Sequence, residues 1–82
     1  MSAKEMFEAL GYEIKQDGNQ YLIYSRYCYD GYSGEFISFR KHQKKVGVFS
    51  MSESGNRGTR MATIDELKAI NQQCKELGWL DE

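Results

Sequence analysis

Proline is absent from this 82-residue sequence, and histidine and cysteine are scarce, with one and two residues. His42 is the single histidine, and Cys28 and Cys74 lie too far apart for a C-x-x-C pair, so no metal site is predicted. Nucleophilic catalysis is disfavoured because an activated cysteine needs a nearby base, and His42 alone offers one. We therefore predict no enzyme, no catalytic residues and no cofactor, and expect both cysteines as free thiols.

Long apolar runs are also missing. No stretch approaches the roughly 18 residues needed to cross a bilayer, so no membrane association is expected. Residues 1–6 have neither a basic start nor a long apolar centre, which argues against a signal peptide. These absences predict a cytoplasmic location.

Charge is unevenly distributed along what should be a single α+β domain, residues 1–82. Net charge is −1, yet residues 40–60 carry six lysines and arginines against one carboxylate. Residues 1–39 and 61–82 each have a net charge of −3. A basic middle between acidic ends is a hint about binding partners rather than about the fold.

Two capping boxes predict a helix at each end of the chain. Ser2 with Glu5, and Thr63 with Glu66, have the spacing in which side chain and backbone amide bond reciprocally. Gly11 is expected to end the first helix, and Gly78 the second. Apolar residues at helical spacing predict that one face of the second helix is buried, comprising Ile64, Leu67, Ile70, Cys74 and Leu77.

The centre of the chain predicts a three- or four-stranded antiparallel β-meander in the order αββββα, with both helices packed on one face. Strands are expected at residues 12–16, 20–29, 35–40 and 45–51, and residues 52–60 are expected to form a mobile loop. The dipeptide Asp17-Gly18 predicts a type I′ turn, which requires positive φ at both central residues.

Alternation along the strands decides which side chains are buried. Arg40 and Ser38 share a face with Phe36, so Ile37 and Phe39 are placed inside. Alternation along residues 20–29 leaves both faces open, and we bury the set with Leu22 and Tyr24 rather than the set with Tyr21 and Ile23. The outer face beside Arg40 would then carry Tyr21, Ile23, Tyr27, Tyr29 and Phe36. The predicted core consists of Phe7, Leu10, Leu22, Ile37, Phe39, Leu67, Ile70 and Leu77, and Leu67→Ala should cost about 2–5 kcal/mol.

Aromatic residues beside a basic run form the candidate partner-binding surface. It comprises Tyr27, Tyr29, Tyr32, Phe36, Arg40, Lys41, His42, Lys44, Lys45, Arg57 and Arg60. Tyrosine and arginine dominate protein-binding hot spots, which favours a non-catalytic protein-binding module. The alternative is single-stranded nucleic acid, which binds through cations and stacked aromatic rings. A third reading is a charged turn that keeps the sheet soluble.

Three segments resemble small uncharacterised proteins encoded by phages and prophages of Gram-positive bacteria. They are residues 5–12 (EMFEALGY), residues 37–41 (ISFRK) and residues 62–79, with ATIDELKAINQQ at the start and ELGW at the end. The resemblance implies a bacterial cytoplasm and a host or phage protein as partner. It implies no activity and no site residues, and it leaves the oligomeric state open.

Overall fold

A computed structural model describes residues 1–28, 30 and 32–80 of the protein. One helix precedes five strands in the sequence and a second helix follows them. The chain order is α1 (Ala3–Ala9), β1 (Glu13–Asp17), β2 (Tyr21–Arg26), β3 (Gly34–Arg40), β4 (Lys45–Met51), β5 (Arg57–Thr59) and α2 (Ile64–Glu76). The strands form one antiparallel sheet in sequence order. The predicted α+β class, with a helix before and after the meander, is confirmed.

The sheet has one more strand than predicted, because part of the expected loop at residues 52–60 pairs with β4. Strand β5 adds Arg57 opposite Met51 and Thr59 opposite Phe49. The turn type predicted at Asp17-Gly18 was also wrong. Residues 18–20 do connect β1 to β2 in an antiparallel hairpin, but neither Asp17 nor Gly18 has the positive φ of a type I′ turn. Strand β2 ends at Arg26 rather than residue 29, since Tyr27 takes a φ of 58° that breaks the extended backbone.

Both helix ends follow the predicted capping chemistry. The capping boxes of Ser2 with Glu5 and of Thr63 with Glu66 are complete. At the end of α2, Gly78 has a φ of 75°, and the Trp79 amide donates to the Cys74 carbonyl at 2.9 Å, as in a Schellman motif. Within the described residues, neither helix is long and apolar enough to span a membrane.

Strand register places Leu22 and Tyr24 on the same face as Ile37 and Phe39, as predicted. The two helices pack on this face, and Phe7 of α1 lies at the centre of the core. The Phe7 ring stacks on Tyr24 with 4.0 Å between centroids and meets Tyr12 and Phe39 edge-on. The core is therefore largely aromatic.

Helix α2 presents a different face to the core than its apolar spacing predicted. Its buried residues are Glu66, Ala69, Gln73 and Cys74, with Ile70 and Leu77 partly buried beside them. Ile64 is 68% exposed and Leu67 is 48% exposed, so the predicted burial of Ile64 and the assignment of Leu67 to the core were wrong. Two buried hydrogen bonds explain this orientation of α2. Gln73 accepts one from the Tyr24 hydroxyl at 2.8 Å, and Glu66 accepts one from the Tyr12 hydroxyl. With Gln73 and Glu66 facing the sheet, Leu67 points outward.

We expect Leu67→Ala to lower the free energy of unfolding by less than about 1 kcal/mol, because half-exposed positions lose little buried surface. Ile70→Ala, three residues further along and packed on the core, should cost about 2 kcal/mol or more. Urea denaturation of the two variants measures the contrast. Equal losses, or a larger loss for Leu67→Ala, would contradict the observed helix orientation.

A buried carboxylate ties α2 to the rest of the fold. Glu66 has no exposed surface and accepts hydrogen bonds from the Arg60 guanidinium at 3.1 and 2.9 Å, one to each carboxylate oxygen. The Tyr12 hydroxyl and the Thr63 amide also donate to it, and Arg26 lies 3.5 Å away. This single side chain thus connects β2, the residue that precedes β1 and the segment that precedes α2.

The environment of Glu66 keeps it ionised. Burial alone would raise the pKa of Glu66, but hydrogen bonds from Arg60, Thr63 and Tyr12 outweigh burial and lower the pKa from 4.5 to about 2. Burial and the hydrogen bond to Glu66 raise the pKa of Tyr12. Glu66 and its hydrogen-bond partners Arg60, Thr63 and Tyr12 therefore form a charged but hydrogen-bonded part of the core.

Candidate functional site on the uncovered face of the sheet

The face of the sheet opposite the helices carries the candidate site, and we call it the uncovered face. Cross-strand register aligns Tyr21, Arg40 and Lys45 in one row, and Ile23, Ser38 and Gly47 in the next. Phe36, Phe49 and Thr59 form a further row, and Arg57 lies opposite Met51 at the end. These residues face away from the core because side chains alternate along each strand.

Cations lie over three aromatic rings of this face. The Arg57 guanidinium is 3.9 Å from the centroid of Phe49, and Lys15 Nζ is 4.9 Å from that of Phe36. The Arg40 guanidinium is 6.0 Å from the Tyr21 centroid. Such contacts hold long side chains against the sheet while their charges remain available to a partner.

Like charges are concentrated on this face. Arg40 lies directly opposite Lys45 across β3 and β4, an arrangement that costs stability. Among the described residues, the ion pairs with carboxylates involve Arg26, Lys41 and Arg60, and none involves Arg40, Lys45 or Arg57. Glu13 belongs to this face by register, at its β1 edge. The charge of the three cations therefore faces solvent uncompensated by a bonded carboxylate.

Two shallow concavities join along the uncovered face. One is an apolar depression of about 230 Å³ between Lys15 and Arg57, formed by Ile23, Tyr32, Phe36, Phe49 and Met51. The other is a polar groove of about 300 Å³ that continues past Ser38 to Tyr21 and Arg40. Ile23, Phe49 and Arg57 line both, so the two are continuous.

Several predicted site residues do meet on or beside the uncovered face. Arg40, Lys45 and Arg57 lie on it, and Tyr32, 74% exposed, stands at the rim of the apolar depression. His42 lines a depression with Tyr21 and Arg40 at the hairpin end, and Lys44 is exposed in the same turn.

Phe36 lies on the predicted face but is not the exposed platform that was expected. It is 3% exposed, because Phe49 stacks on it with 5.3 Å between centroids and Lys15 covers its ring. A nucleic-acid base therefore has no free Phe36 surface on which to stack. Phe36 instead forms the floor of the apolar depression.

Three other predicted site residues lie elsewhere. Arg60 is held by Glu66 on the helix side of the sheet, and Lys41 pairs with Asp17 at 3.3 Å. The Tyr27 ring lies 5.1 Å from the Arg26 guanidinium, which also lies over the ring of the core residue Tyr12. Positive φ at Tyr27 breaks the alternation that placed it outside. Tyr29 lies outside the described residues.

Sequence reasoning missed Lys15, Phe49 and Met51 as members of the site. Phe49 and Met51 share the alternation of Lys45 and Gly47, so the register of β4 alone would have placed them there. Lys15 lies at an irregularity where the β1–β2 register shifts, which the sequence does not signal.

Reversal of one charge should relieve the repulsion at the hairpin end. We expect Arg40→Glu to raise the free energy of unfolding by about 0.5 kcal/mol, because a carboxylate opposite Lys45 converts a repulsive pair into an attractive one. The gain should shrink in 1 M salt, where the Debye length is about 3 Å. Thermal unfolding measures it, with Lys68→Glu on α2 as the control. Destabilisation by Arg40→Glu would show that Arg40 supports the fold.

Comparisons with protein-family models, with curated proteins and with solved structures each found no match to this chain.

Proposed function

We propose that this protein is a non-catalytic binding module whose uncovered face receives an acidic segment of a partner protein. The observation that carries the proposal is the group formed by Arg40, Lys45 and Arg57. These cations lie together at a cost in stability, beside apolar surface and away from the carboxylates that neutralise other cations of the fold. Positions that break a local stability rule are often those that serve binding.

Shape and charge favour an acidic protein segment over a longer polyanion. The face is one side of a small sheet whose longest strands have seven residues, which is about 23 Å. Net charge is −1 and the pI is about 5.8, so most of the surrounding surface would repel a nucleic acid that extends beyond the face. A short acidic segment needs contact with the basic patch alone.

Single-stranded nucleic acid is the second candidate for the same face. The Arg57 guanidinium on Phe49 favours it, because guanidinium planes stack on unpaired bases. The positions of the rings that were expected to stack on bases argue against nucleic acid, since Phe36 is buried and Tyr27 lies against Arg26.

The resemblance to phage and prophage proteins supplies a proposed setting for the protein. That setting is the bacterial cytoplasm, with a host or phage protein as partner.

Fluorescence anisotropy with a labelled ten-residue polyglutamate peptide tests the proposal, at about 50 and 200 mM salt. We expect binding that weakens with salt, because the charges are exposed and screened. The double variant Arg40→Glu/Arg57→Glu should weaken binding by roughly tenfold or more. Labelled single-stranded DNA and RNA of similar length are titrated in parallel and should bind more weakly.

The matched control is Lys4→Glu/Lys68→Glu, which makes the same charge change at two exposed helix positions. It should bind the peptide almost as tightly as the unchanged protein. Equal losses of peptide affinity in both double variants would mean that net charge alone causes the effect. That result would refute a defined binding site. Tighter binding of DNA or RNA, lost in Arg40→Glu/Arg57→Glu, would instead establish the second candidate.

A further inference from the structure

The two joined concavities differ in chemistry, and this difference points to the kind of acidic segment that fits. The apolar depression has Phe36 stacked on Phe49 as its floor and Met51 at its edge. The polar groove leads away from it to Tyr21 and Arg40. One end of the face therefore suits an apolar side chain, and the other suits carboxylates.

We infer that the partner segment is extended and carries one large apolar residue that enters the depression, followed along the groove by acidic residues. This inference rests on the proposed function and specifies its ligand. Lys15 and Arg57 border the depression and would contact carboxylates next to the apolar residue. Burial of a leucine-sized side chain there supplies affinity that exposed charges alone do not.

Strand geometry sets the spacing between the apolar and acidic residues. The floor residue Phe36 and the distal cation Arg40 are four positions apart on β3, which is about 13 Å in an extended strand. Arg40 and Lys45 are neighbours in register and form the acidic end of the site. An extended segment covers that distance in about four residues, so its distal carboxylates should follow the apolar residue by about four positions.

Anisotropy competition with three peptides tests the inference. The first has leucine, a glutamate, two serines and then three glutamates, and is made in both chain directions. The second replaces leucine with serine, and the third moves leucine between the distal glutamates. We expect the first peptide, in one direction, to bind about tenfold more tightly than the other two, as burial of one apolar side chain provides.

Met51→Glu adds a carboxylate at the edge of the depression and should abolish the tenfold advantage of the first peptide while leaving binding of the serine peptide measurable. Met61→Glu, at a position 88% exposed and outside the depression, is the matched control and should preserve the advantage. Circular dichroism confirms that both variants fold.

The possible outcomes distinguish failure of the inference from failure of the proposed function. Equal affinity of all three peptides would overturn the inference and leave the acidic-segment proposal intact. A fourth peptide with leucine and with serine in place of every glutamate should bind weakly; if it binds as tightly as the first, the cations play no part and the inference is overturned. No binding of any acidic peptide, with or without leucine, would overturn both. A leucine advantage that persists in Met51→Glu would place the apolar contact elsewhere.

Discussion

Glu66→Gln should lower the free energy of unfolding by about 3–5 kcal/mol, because it leaves the buried charge of Arg60 without its carboxylate partner and leaves Arg26 with Glu35 alone. A domain of this length is expected to have about 4–12 kcal/mol of stability in total, so the loss should be about a quarter of it or more. Urea denaturation at pH 7 measures the loss. Glu53→Gln makes the same chemical change at an exposed carboxylate and should be nearly neutral.

The dependence of this loss on pH identifies its cause. The pKa of Glu66 is lowered from 4.5 to about 2 in the folded protein, so ionised Glu66 contributes its full stability above about pH 4.5. The contribution disappears as the pH falls toward 2, when the folded protein also binds the proton. The stability difference between the unchanged protein and Glu66→Gln should therefore shrink between pH 5 and 2. A constant difference across that range would mean that Glu66 acts by packing rather than by charge.

Phe7→Ala should cost about 3–5 kcal/mol, since it removes the ring at the centre of the aromatic core. Phe7 is fully buried and contacts Tyr12, Tyr24 and Phe39, so the cavity would lie between α1 and the sheet. Phe7→Leu retains most of the volume and should cost markedly less. Chemical denaturation of both variants tests the assignment, and a loss below about 1 kcal/mol for Phe7→Ala would contradict it.

Local chemistry in the sequence was enough to predict the helices and the buried face of the central strands. Capping boxes and glycine stops depend on residues within four or five positions, and both helix starts were placed correctly. A charge and a hydroxyl on one face of β3 placed Ile37 and Phe39 inside, whereas alternation along β2 allowed either parity, and it is the register with β3 that puts Leu22 and Tyr24 on the buried face.

Features that depend on distant partners were not predictable. The orientation of α2 follows from hydrogen bonds to Tyr12 and Tyr24, which lie 54 and 49 residues away in the chain. Without them, apolar spacing placed Leu67 in the core. Strand β5 was missed for a related reason, since Arg57-Gly58-Thr59 has little strand propensity and forms a strand through its pairing with β4.

The candidate site was predicted in part for the same reasons. Arg40, Lys45 and Arg57 were named from the charge pattern, and the sheet brings them to one face. Arg60 belongs to the same basic segment but is bound by Glu66, which no local pattern indicates. Charge patterning therefore identified the kind of surface, whereas tertiary contacts decided which cations remain available on it.

A two-dimensional ¹H–¹⁵N NMR titration of the labelled protein with the acidic leucine peptide tests the central claim most directly. The proposed binding face predicts shift changes at amides of β3, β4 and β5, including those of Ser38, Gly47 and Phe49. Amides on the outward side of α2, such as Leu67 and Asn71, should not shift. Changes concentrated in α2, or none at a peptide concentration that saturates the anisotropy signal, would contradict the account.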